Sequence, residues 1–424
     1  SSCGFSQAYP ELWMGWAVES GATNGGVYAY GIAYDEITSS SVYIVGGTNT
    51  ALASDLTQAG DVDYFIAKYD ANTHTQLWVR QVGASGGHTY GQAIKTDASG
   101  NIYLTGYTDV AISGQTLQGS QDYFIAKYDT DGNLLWTREV GASGGTTEGN
   151  SIGTSLDSDV YITGDTSVGI SGQTLQGGTD YFIAKYDVNG NLIWTREVGA
   201  SGGTTIGSGI TVDSTFDKNV YITGRTNRGI SGQTQSGDVD SFVTKYTSDG
   251  DLVNTIQFGA PGGTTTRGLS IVANSICNCL YATGSTDTEI FGSQNGRVDY
   301  FLAKYDYSLN RAWGTQVGAL DGYSVGTGVG ADEIGNGYIT GYTTVGISGQ
   351  TQIGDENYFI AKYNSDGALQ WGYQAGGVGG VTNAFGIATT PFGNSYITGI
   401  SSVGVMGQSL VGNTDYFVVS YVDQ

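Results

Sequence analysis

Carboxylates in short clusters are the side chains of this sequence best suited to hold a ligand directly. Three clusters lie just ahead of a recurring DYFIAKYD-like string, namely Asp61 with Asp63, Asp238 with Asp240, and Asp355 with Glu356. Carboxylate oxygens in loops are typical Ca²⁺ ligands, so these six residues form the candidate metal site. Their spacing matches neither an EF-hand loop nor a nonapeptide calcium repeat. The alternative is structural, because an Asp that recurs before each strand can start it by accepting backbone N–H bonds.

The chain has few other residues that are suited to catalysis. The two histidines, His74 and His88, fall in connections on opposite faces of the predicted fold, so each is expected at the surface and a shared metal or acid–base pair is not expected. No Ser-His-Asp arrangement is marked. The Gly-rich stretches 141–147 and 199–205 lack the Lys-Ser/Thr pair and the helix of a phosphate loop. We therefore expect no catalytic residues, no enzymatic activity and no organic cofactor.

Three cysteines, Cys3, Cys277 and Cys279, are the disulfide candidates. An odd number allows one disulfide together with a free thiol or an intermolecular bond. A zinc site at Cys277-x-Cys279 would need further Cys or His nearby, and there are none. A local disulfide, or one that locks the N-terminal arm, in an oxidising compartment is the favoured interpretation.

Five similar loops carry uncharged polar residues that could form a contact surface. They contain strings such as GISGQTLQG, and their glutamines are Gln115, Gln173, Gln233, Gln350 and Gln408. One interpretation is that Gln and Thr only satisfy the loop backbone, since loops this long often pack on themselves. The other is a multivalent ligand-binding face for glycan or protein, in which several weak sites act together.

The elements that position these residues come from a unit of about sixty residues that runs through the chain seven times. Its first marker is a YITG-like string, which contains Tyr43, Tyr103, Tyr161, Tyr221, Tyr281, Tyr338 and Tyr396. Asp-Gly and Asn-Gly turns between alternating apolar and polar runs predict hairpins and an all-β fold. Each unit is predicted to form four short antiparallel strands.

Strand composition favours a seven-bladed β-propeller over a β-helix. The first strand of each unit is rich in small residues, whereas the third and fourth carry Tyr, Phe and Trp. Blades converge at the axis of a propeller and diverge at its rim, so small inner and large outer side chains are expected. A third strand that is apolar on both faces is expected when each sheet lies between two neighbours.

The phase of the repeat predicts how the ring closes. The chain begins in a fourth strand at residues 12–20 and ends in a third strand. We expect a three-plus-one closure, in which the N-terminal strand is the outer strand of the last blade. The predicted organisation is an N-terminal arm at 1–11 and a single propeller at 12–424.

Charge and hydropathy limit the classes of partner and the cellular locations that are expected for this protein. The net charge is −23, which argues against nucleic acid and anionic lipid as partners. No apolar run is long enough to insert into a membrane. The abrupt start at Ser1 suggests a mature N-terminus after removal of a signal, so a secreted or cell-surface location is expected.

The strings DYFIAKYD, GNLLWTREVG and GNIYLTG resemble the bacterial SBBP repeat, named for its seven-bladed β-propeller. The resemblance extends from about residue 11 to 424 and implies the fold and a bacterial surface or secreted setting. It implies no catalytic residues, because the family offers none to carry over. The chain departs from the pattern at Asn254, at Asn357 and in the loop ALASDLTQAG.

Three functions follow from these observations. The first is a non-enzymatic structural or adhesive scaffold, which meets protein partners or other copies of itself through the repeated loops. The second is a multivalent glycan-binding module, with Ca²⁺ as the one possible metal. The third, an enzyme acting on carbohydrate at the central mouth, ranks last because a catalytic site needs differing acid and base groups and the blades look interchangeable.

Overall fold

The protein is described by a computed structural model that covers residues 12–35 and 40–423. Within these ranges the chain forms 28 strands in seven four-stranded antiparallel sheets. No helix occurs in these ranges, and so none that could cross a membrane. The prediction of an all-β, seven-bladed propeller with four-stranded blades is confirmed.

The strands fall into four classes by their distance from the axis. The outermost are β1 (Leu12–Ser20), β5 (Gln76–Val82), β9 (Leu134–Val140), β13 (Leu192–Val198), β17 (Leu252–Phe258), β21 (Arg311–Val317) and β25 (Leu369–Ala375). The innermost are β2 (Val27–Asp35), β6 (Thr89–Thr96), β10 (Thr147–Thr154), β14 (Thr205–Val212), β18 (Thr266–Asn274), β22 (Ser324–Ala331) and β26 (Thr382–Thr389).

Two further classes lie between them. The second strands are β3 (Ser41–Thr48), β7 (Ile102–Thr108), β11 (Val160–Thr166), β15 (Val220–Thr226), β19 (Cys279–Thr286), β23 (Gly337–Thr343) and β27 (Ser395–Ser401). The third are β4 (Asp63–Asp70), β8 (Asp122–Tyr128), β12 (Asp180–Tyr186), β16 (Asp240–Tyr246), β20 (Asp299–Asp306), β24 (Asn357–Tyr363) and β28 (Asp415–Asp423).

Aromatic side chains of the third strands fill the space between blades. In β8 and β12 every residue is buried, because each sheet is covered on both faces. The Tyr123 ring stacks on Phe182 of the next blade at 4.8 Å, and its hydroxyl lies 2.6 Å from that of Tyr186. Six of the seven interfaces carry such a tyrosine pair. The exception is the interface at which Ser241 replaces tyrosine.

Basic and tryptophan side chains at the rim hold each blade to the next. Lys127 Nζ and Trp136 Nε1 both donate to the carbonyl of Val188, at 3.1 and 3.2 Å. Arg138 Nε donates to the carbonyl of Gly190 at 2.8 Å. Eight of the 16 Lys and Arg residues donate to the next blade in this way, which leaves fewer for ligands.

The first and last described strands, β1 and β28, pair in one sheet. The strand order of that sheet is β1-β28-β27-β26, so β1 is its outer strand. Each blade also touches the next through a parallel bridge near the axis, such as Val62 with His88. The same bridge joins Thr414 of the last blade to Gly26 of the first. The contacts between blades therefore continue around the ring.

Candidate functional site

A β-bulge in each innermost strand aims one side chain into the central channel. In β10 the register shifts between Gly149 and Ser151, which leaves Asn150 outside the ladder. Bulges re-aim side chains and are common beside binding sites. The seven residues at this position differ from blade to blade, and all line the channel: Tyr30, Gln92, Asn150, Ser208, Leu269, Thr327 and Phe385.

Close packing at the axis explains the glycine beside the bulge. A Cβ on Gly149 would collide with the Thr105 side chain of the preceding blade. The small residue lets neighbouring inner strands approach, and the bulge then places a side chain of variable size in the channel one position later. The inner strands thus combine tight packing with a ring of variable residues.

These variable residues enclose a cavity of about 400 Å³ at the mouth of the channel, which we call the axial cup. Its lining includes Tyr30, Glu148, Asp165, Arg225 and Phe385. The cup opens on the face that carries the connections between blades. Unlike the strands and loops around it, the cup has no sevenfold repetition.

One side of the axial cup is aromatic. The rings of Tyr30 and Phe385 are 5.8 Å apart, and those of Tyr90 and Tyr107 are 5.1 Å apart at the adjoining rim. Burial raises the pKa of Tyr107 to about 12, with smaller contributions from nearby acidic groups. These tyrosines are therefore neutral, and they offer flat apolar faces with hydroxyl groups at their tips.

The next side of the axial cup is acidic. Asn150 Nδ2 donates to Asp165 Oδ1 at 2.9 Å, and Gln121 Nε2 donates to Glu148 Oε1 at 3.0 Å. Burial is the largest cause that raises the pKa of both carboxyl groups, and the charge of Asp165 raises that of Glu148 further. Two partly desolvated carboxylates are thus held in place by amides.

The remaining charged side is basic. Arg225 lines the axial cup and Arg267 lies on the neighbouring blade. Burial lowers the pKa of the Arg225 guanidinium most, and the charge of Arg267 lowers it further. Within the described part of the chain, neither guanidinium has a hydrogen bond or an ion pair. Both retain their donors for a ligand.

The predicted metal residues are placed in two different environments. Asp63 and Asp240 are fully buried, and each accepts two backbone N–H bonds from the loop that precedes it. Asp61, Asp238 and Asp355 are exposed. Among the described residues there is no group of three or more Asp, Glu, His or Cys that could hold a metal ion. Calcium binding here stays a prediction.

Glu356 differs from the other predicted metal residues because it reaches the central mouth. Its Oε2 accepts a hydrogen bond of 2.6 Å from Asn383 Nδ2 of the next blade. Asn383 occupies the same strand position as Glu148. Glu356 therefore extends the polar rim of the axial cup.

The five loop glutamines lie in separate blades and are not brought together. The Gln115 N–H donates to the Ile112 carbonyl at 2.9 Å in a tight turn, and Ile112 is buried in the core. Ser113 and Gly114 make the turn with φ of 49° and 75°. The loop thus packs on itself, while Gln115, Gln173, Gln233 and Gln350 stay half-buried and Gln408 is exposed.

The histidines lie at the surface, and a disulfide joins Cys277 to Cys279. His88 Nδ1 lies 2.9 Å from Asp109 Oδ2 in an exposed pair. The His74 ring stacks on Trp16 at 5.1 Å. Cys3 and the predicted arm at 1–11 lie outside the described residues.

The axial cup was not predicted from the sequence, because the repeated strings are the positions at which the blades agree. The informative signal is the opposite one: at the bulge position and at the residue two before it, the seven repeats differ in size, charge and aromaticity. The similarity of the blades speaks against a single binding site in the repeated loops. It does not apply to the mouth of the central channel, where the blades differ.

Seven four-stranded sheets around a common axis define the class of this protein as a seven-bladed β-propeller. The repeated unit matches a known family of propeller repeats. The chain carries the SBBP β-propeller repeat, whose family model matches residues 77–112, 135–170 and 193–230.

Two curated proteins are similar to parts of the chain. Regulatory protein FlaEY of Caulobacter vibrioides is 24% identical over 258 residues, which is 51% of this chain and 24% of that protein. An uncharacterized WD repeat-containing protein, L264 of Acanthamoeba polyphaga mimivirus, is 28% identical over 187 residues, or 35% and 13% of the two chains. The matched regions thus span a quarter or less of these relatives.

Solved propellers are similar at low sequence identity. The quinohemoprotein alcohol dehydrogenase from Comamonas testosteroni is 10% identical with a TM-score of 0.48, covering 96% of this chain and 76% of that one. The propeller domain of the trilobed protease from Pyrococcus furiosus is 10% identical with a TM-score of 0.45, covering 93% of each chain.

Proposed function

We propose that this chain is a non-enzymatic binding propeller that acts outside the cell as an adhesive module and holds carbohydrate in the axial cup. The observation that carries the proposal is the cup itself, where bulges aim different residues into one cavity of about 400 Å³. Aromatic faces such as Tyr30 and Phe385 suit the C–H face of a sugar ring, and the fixed amides and carboxylates suit its hydroxyl groups.

The repeated loops supply a second contact surface in this proposal. Gln115 and its four counterparts stand at the same place in five blades, which suits weak contacts with protein partners or with other copies of the chain. The disulfide between Cys277 and Cys279 supports an oxidising, extracellular setting. The net charge of −23 speaks against nucleic acid and anionic lipid as partners.

A glycan array tests the proposed function. We expect the protein to bind a restricted set of glycans, and the Tyr30→Ala and Phe385→Ala double variant to lose that binding by about tenfold or more, the equivalent of about 1.4 kcal/mol. A Gln115→Ala and Gln173→Ala double variant, altered only in the loops, is the matched control and should retain binding of a soluble monovalent glycan. Arrays run with and without Ca²⁺ also test the predicted metal. Blank arrays in both conditions would refute the proposal.

A second candidate, an enzyme that cleaves the bound glycan, is favoured by one observation. Glu148 and Asp165 are neighbouring carboxyl groups of the axial cup whose pKa values are both raised by burial. Glycoside hydrolysis uses two carboxyl groups in differing environments. Release of new reducing ends from a bound oligosaccharide, abolished by Glu148→Gln, would favour the enzyme over the binding module.

A further inference from the structure

Below the axial cup the channel narrows to a neck that contains a single lysine. The neck has a volume of about 140 Å³ and is lined by Lys95 together with apolar side chains such as Ile94, Ile152 and Ile271. The seven bulge residues line both the cup and the neck, so the two spaces are continuous. A ligand in the cup therefore has direct access to the neck.

Lys95 is the one large residue at its position in the repeat. Strand register pairs it with Tyr103, the tyrosine of the YITG-like string. The residues with the same pairing in the other six blades are Ala33, Gly153, Thr211, Val272, Gly330 and Ala388. Packing at the axis requires nothing larger than valine, so packing does not explain the lysine.

The Lys95 ammonium has no partner among the described residues. It makes no hydrogen bond or ion pair with them, whereas Lys68, Lys127 and Lys185 each donate to a carbonyl of the next blade. Its side chain is exposed to the axial channel, and desolvation by the surrounding blades lowers its pKa, with no carboxylate contributing. An ammonium at this narrow point of the channel, without a hydrogen bond or ion pair to the described residues, is available to pair with an anion.

We propose that the neck is an anion site in which the Lys95 ammonium pairs with the carboxylate of an acidic sugar whose ring is seated in the axial cup. The inference rests on the proposed carbohydrate function and adds the substrate class, a uronic-acid glycan. The neck volume exceeds the ~30 Å³ of a water molecule severalfold, so it admits a carboxylate but not a further sugar ring.

The length of the Lys95 side chain and the charges near the axis agree with a sugar in the cup and its carboxylate in the neck. Lys95 lies three residues beyond the cup residue Gln92, about 10 Å along an extended strand, and its four-carbon stem spans much of that distance. Arg225 lines the cup above it, where the charge of Asp165 acts on it, and Arg267 lies on the neighbouring blade. Three basic groups that make no hydrogen bond or ion pair with the described residues thus lie along or beside the axis, where an anion would meet them.

The test compares the acidic and methyl-ester forms of one sugar, since esterification removes only the charge. Binding of tetramers of galacturonate and of glucuronate, and of their methyl esters, is measured by calorimetry for the wild type, Lys95→Ala, Lys95→Arg and Lys218→Ala. Alanine already occupies the same position at Ala33 and Ala388, so Lys95→Ala should fold normally. Lys218, in the turn between β14 and β15, pairs with Asp157 of the preceding blade and serves as the control.

We expect the wild type and Lys218→Ala to bind at least one acid form about tenfold or more tightly than its ester. Lys95→Ala should lose this preference and bind the ester unchanged, while Lys95→Arg should keep most of it. Ester binding with no preference for the acid, or a preference that survives Lys95→Ala, would overturn the inference and leave the proposed function standing. Displacement of the acid tetramer by an equal concentration of sodium acetate would assign the site to small free anions and overturn the sugar ligand. Absence of binding to either form, together with blank glycan arrays, would overturn both.

Discussion

At the scale of single residues, one position in the outermost strand determines whether a blade has an amide that donates a hydrogen bond to its buried aspartate. Gln257 Oε1 accepts the N–H of Ile230 at 3.2 Å, and its Nε2 donates to Asp240 Oδ2 at 2.9 Å. Gln81 and Gln316 donate to the aspartates of their blades in the same way. In these blades the glutamine amide satisfies the buried aspartate.

Three blades have glutamate at this position and therefore lack the amide donor. Glu139 Oε2 accepts the N–H of Ile112 at 3.2 Å, while its other oxygen, Oε1, is buried without a hydrogen-bond partner among the described residues. The pKa of Glu19, Glu139 and Glu197 is raised to about 7, mainly by burial and to a smaller extent by the aspartate beside each, against one backbone N–H bond that lowers it. A protonated glutamate would supply the O–H that replaces the glutamine N–H.

This leads to a prediction for the pH dependence of stability. The pKa of each glutamate is about 7 in the folded protein and near 4.5 when exposed, so the folded state binds the proton more tightly. The stabilisation is complete below about pH 4.5 and is lost as the pH rises through about 7. The triple variant Glu19→Gln, Glu139→Gln and Glu197→Gln should gain about 1–3 kcal/mol per site at alkaline pH and show a flatter melting temperature between about pH 5 and about pH 8. Thermal unfolding at several pH values is the measurement.

The matched control for this series is Glu289→Gln, which changes an exposed glutamate in a loop. It should leave the pH profile of the melting temperature unchanged. If the triple variant follows the wild-type profile within error, the three glutamates are not the groups that bind the proton.

At the scale of elements, the sequence predicts the strands well but not the bulges. Alternation, Asp-Gly turns and the YITG-like string give the four strands of each blade, because each strand keeps its own pattern of buried residues. A bulge depends on the register between β10 and β11 and on the approach of the neighbouring blade to Gly149, neither of which is visible in one strand. The direction of Asn150, and with it the axial cup, could not be predicted.

The interface between third strands allows a test of how neighbouring blades are joined. The hydroxyls of Tyr181 and Tyr246 lie 2.6 Å apart and buried, so Tyr181→Phe leaves one of them without its partner. We expect the free energy of unfolding to fall by about 1–3 kcal/mol. Denaturant unfolding measures it.

One interface lacks this pair and provides the matched control. Ser241 stands where other blades have the first tyrosine, and the hydroxyl of Tyr305 makes no hydrogen bond with the described residues. Tyr305→Phe should therefore change the free energy of unfolding by at most about 0.5 kcal/mol. Equal losses in Tyr181→Phe and Tyr305→Phe would show that the hydroxyl pairs do not stabilise the interface.

At the scale of the whole molecule, the residues that repeat in every blade and those that differ between blades lie in different places. The number of blades and the gradient of side-chain size follow from the repeated strings, since blade packing imposes the same requirement seven times. The axial cup follows from none of them, because it depends on single residues of different blades, such as Glu148, Arg225 and Phe385, that meet only at the axis. The resemblance between blades therefore predicts the propeller fold but not the axial cup.

The measurement that tests the account most directly is hydrogen–deuterium exchange of the full chain with and without a glycan that it binds. If the axial cup holds the ligand, added glycan should slow exchange in the inner strands around residues 28–31, 90–93, 148–151 and 383–386, and leave the loops at 111–119 and 169–177 unchanged. Protection confined to those loops, with none in the inner strands, would contradict the assignment of binding to the axial cup and place it on the repeated face instead.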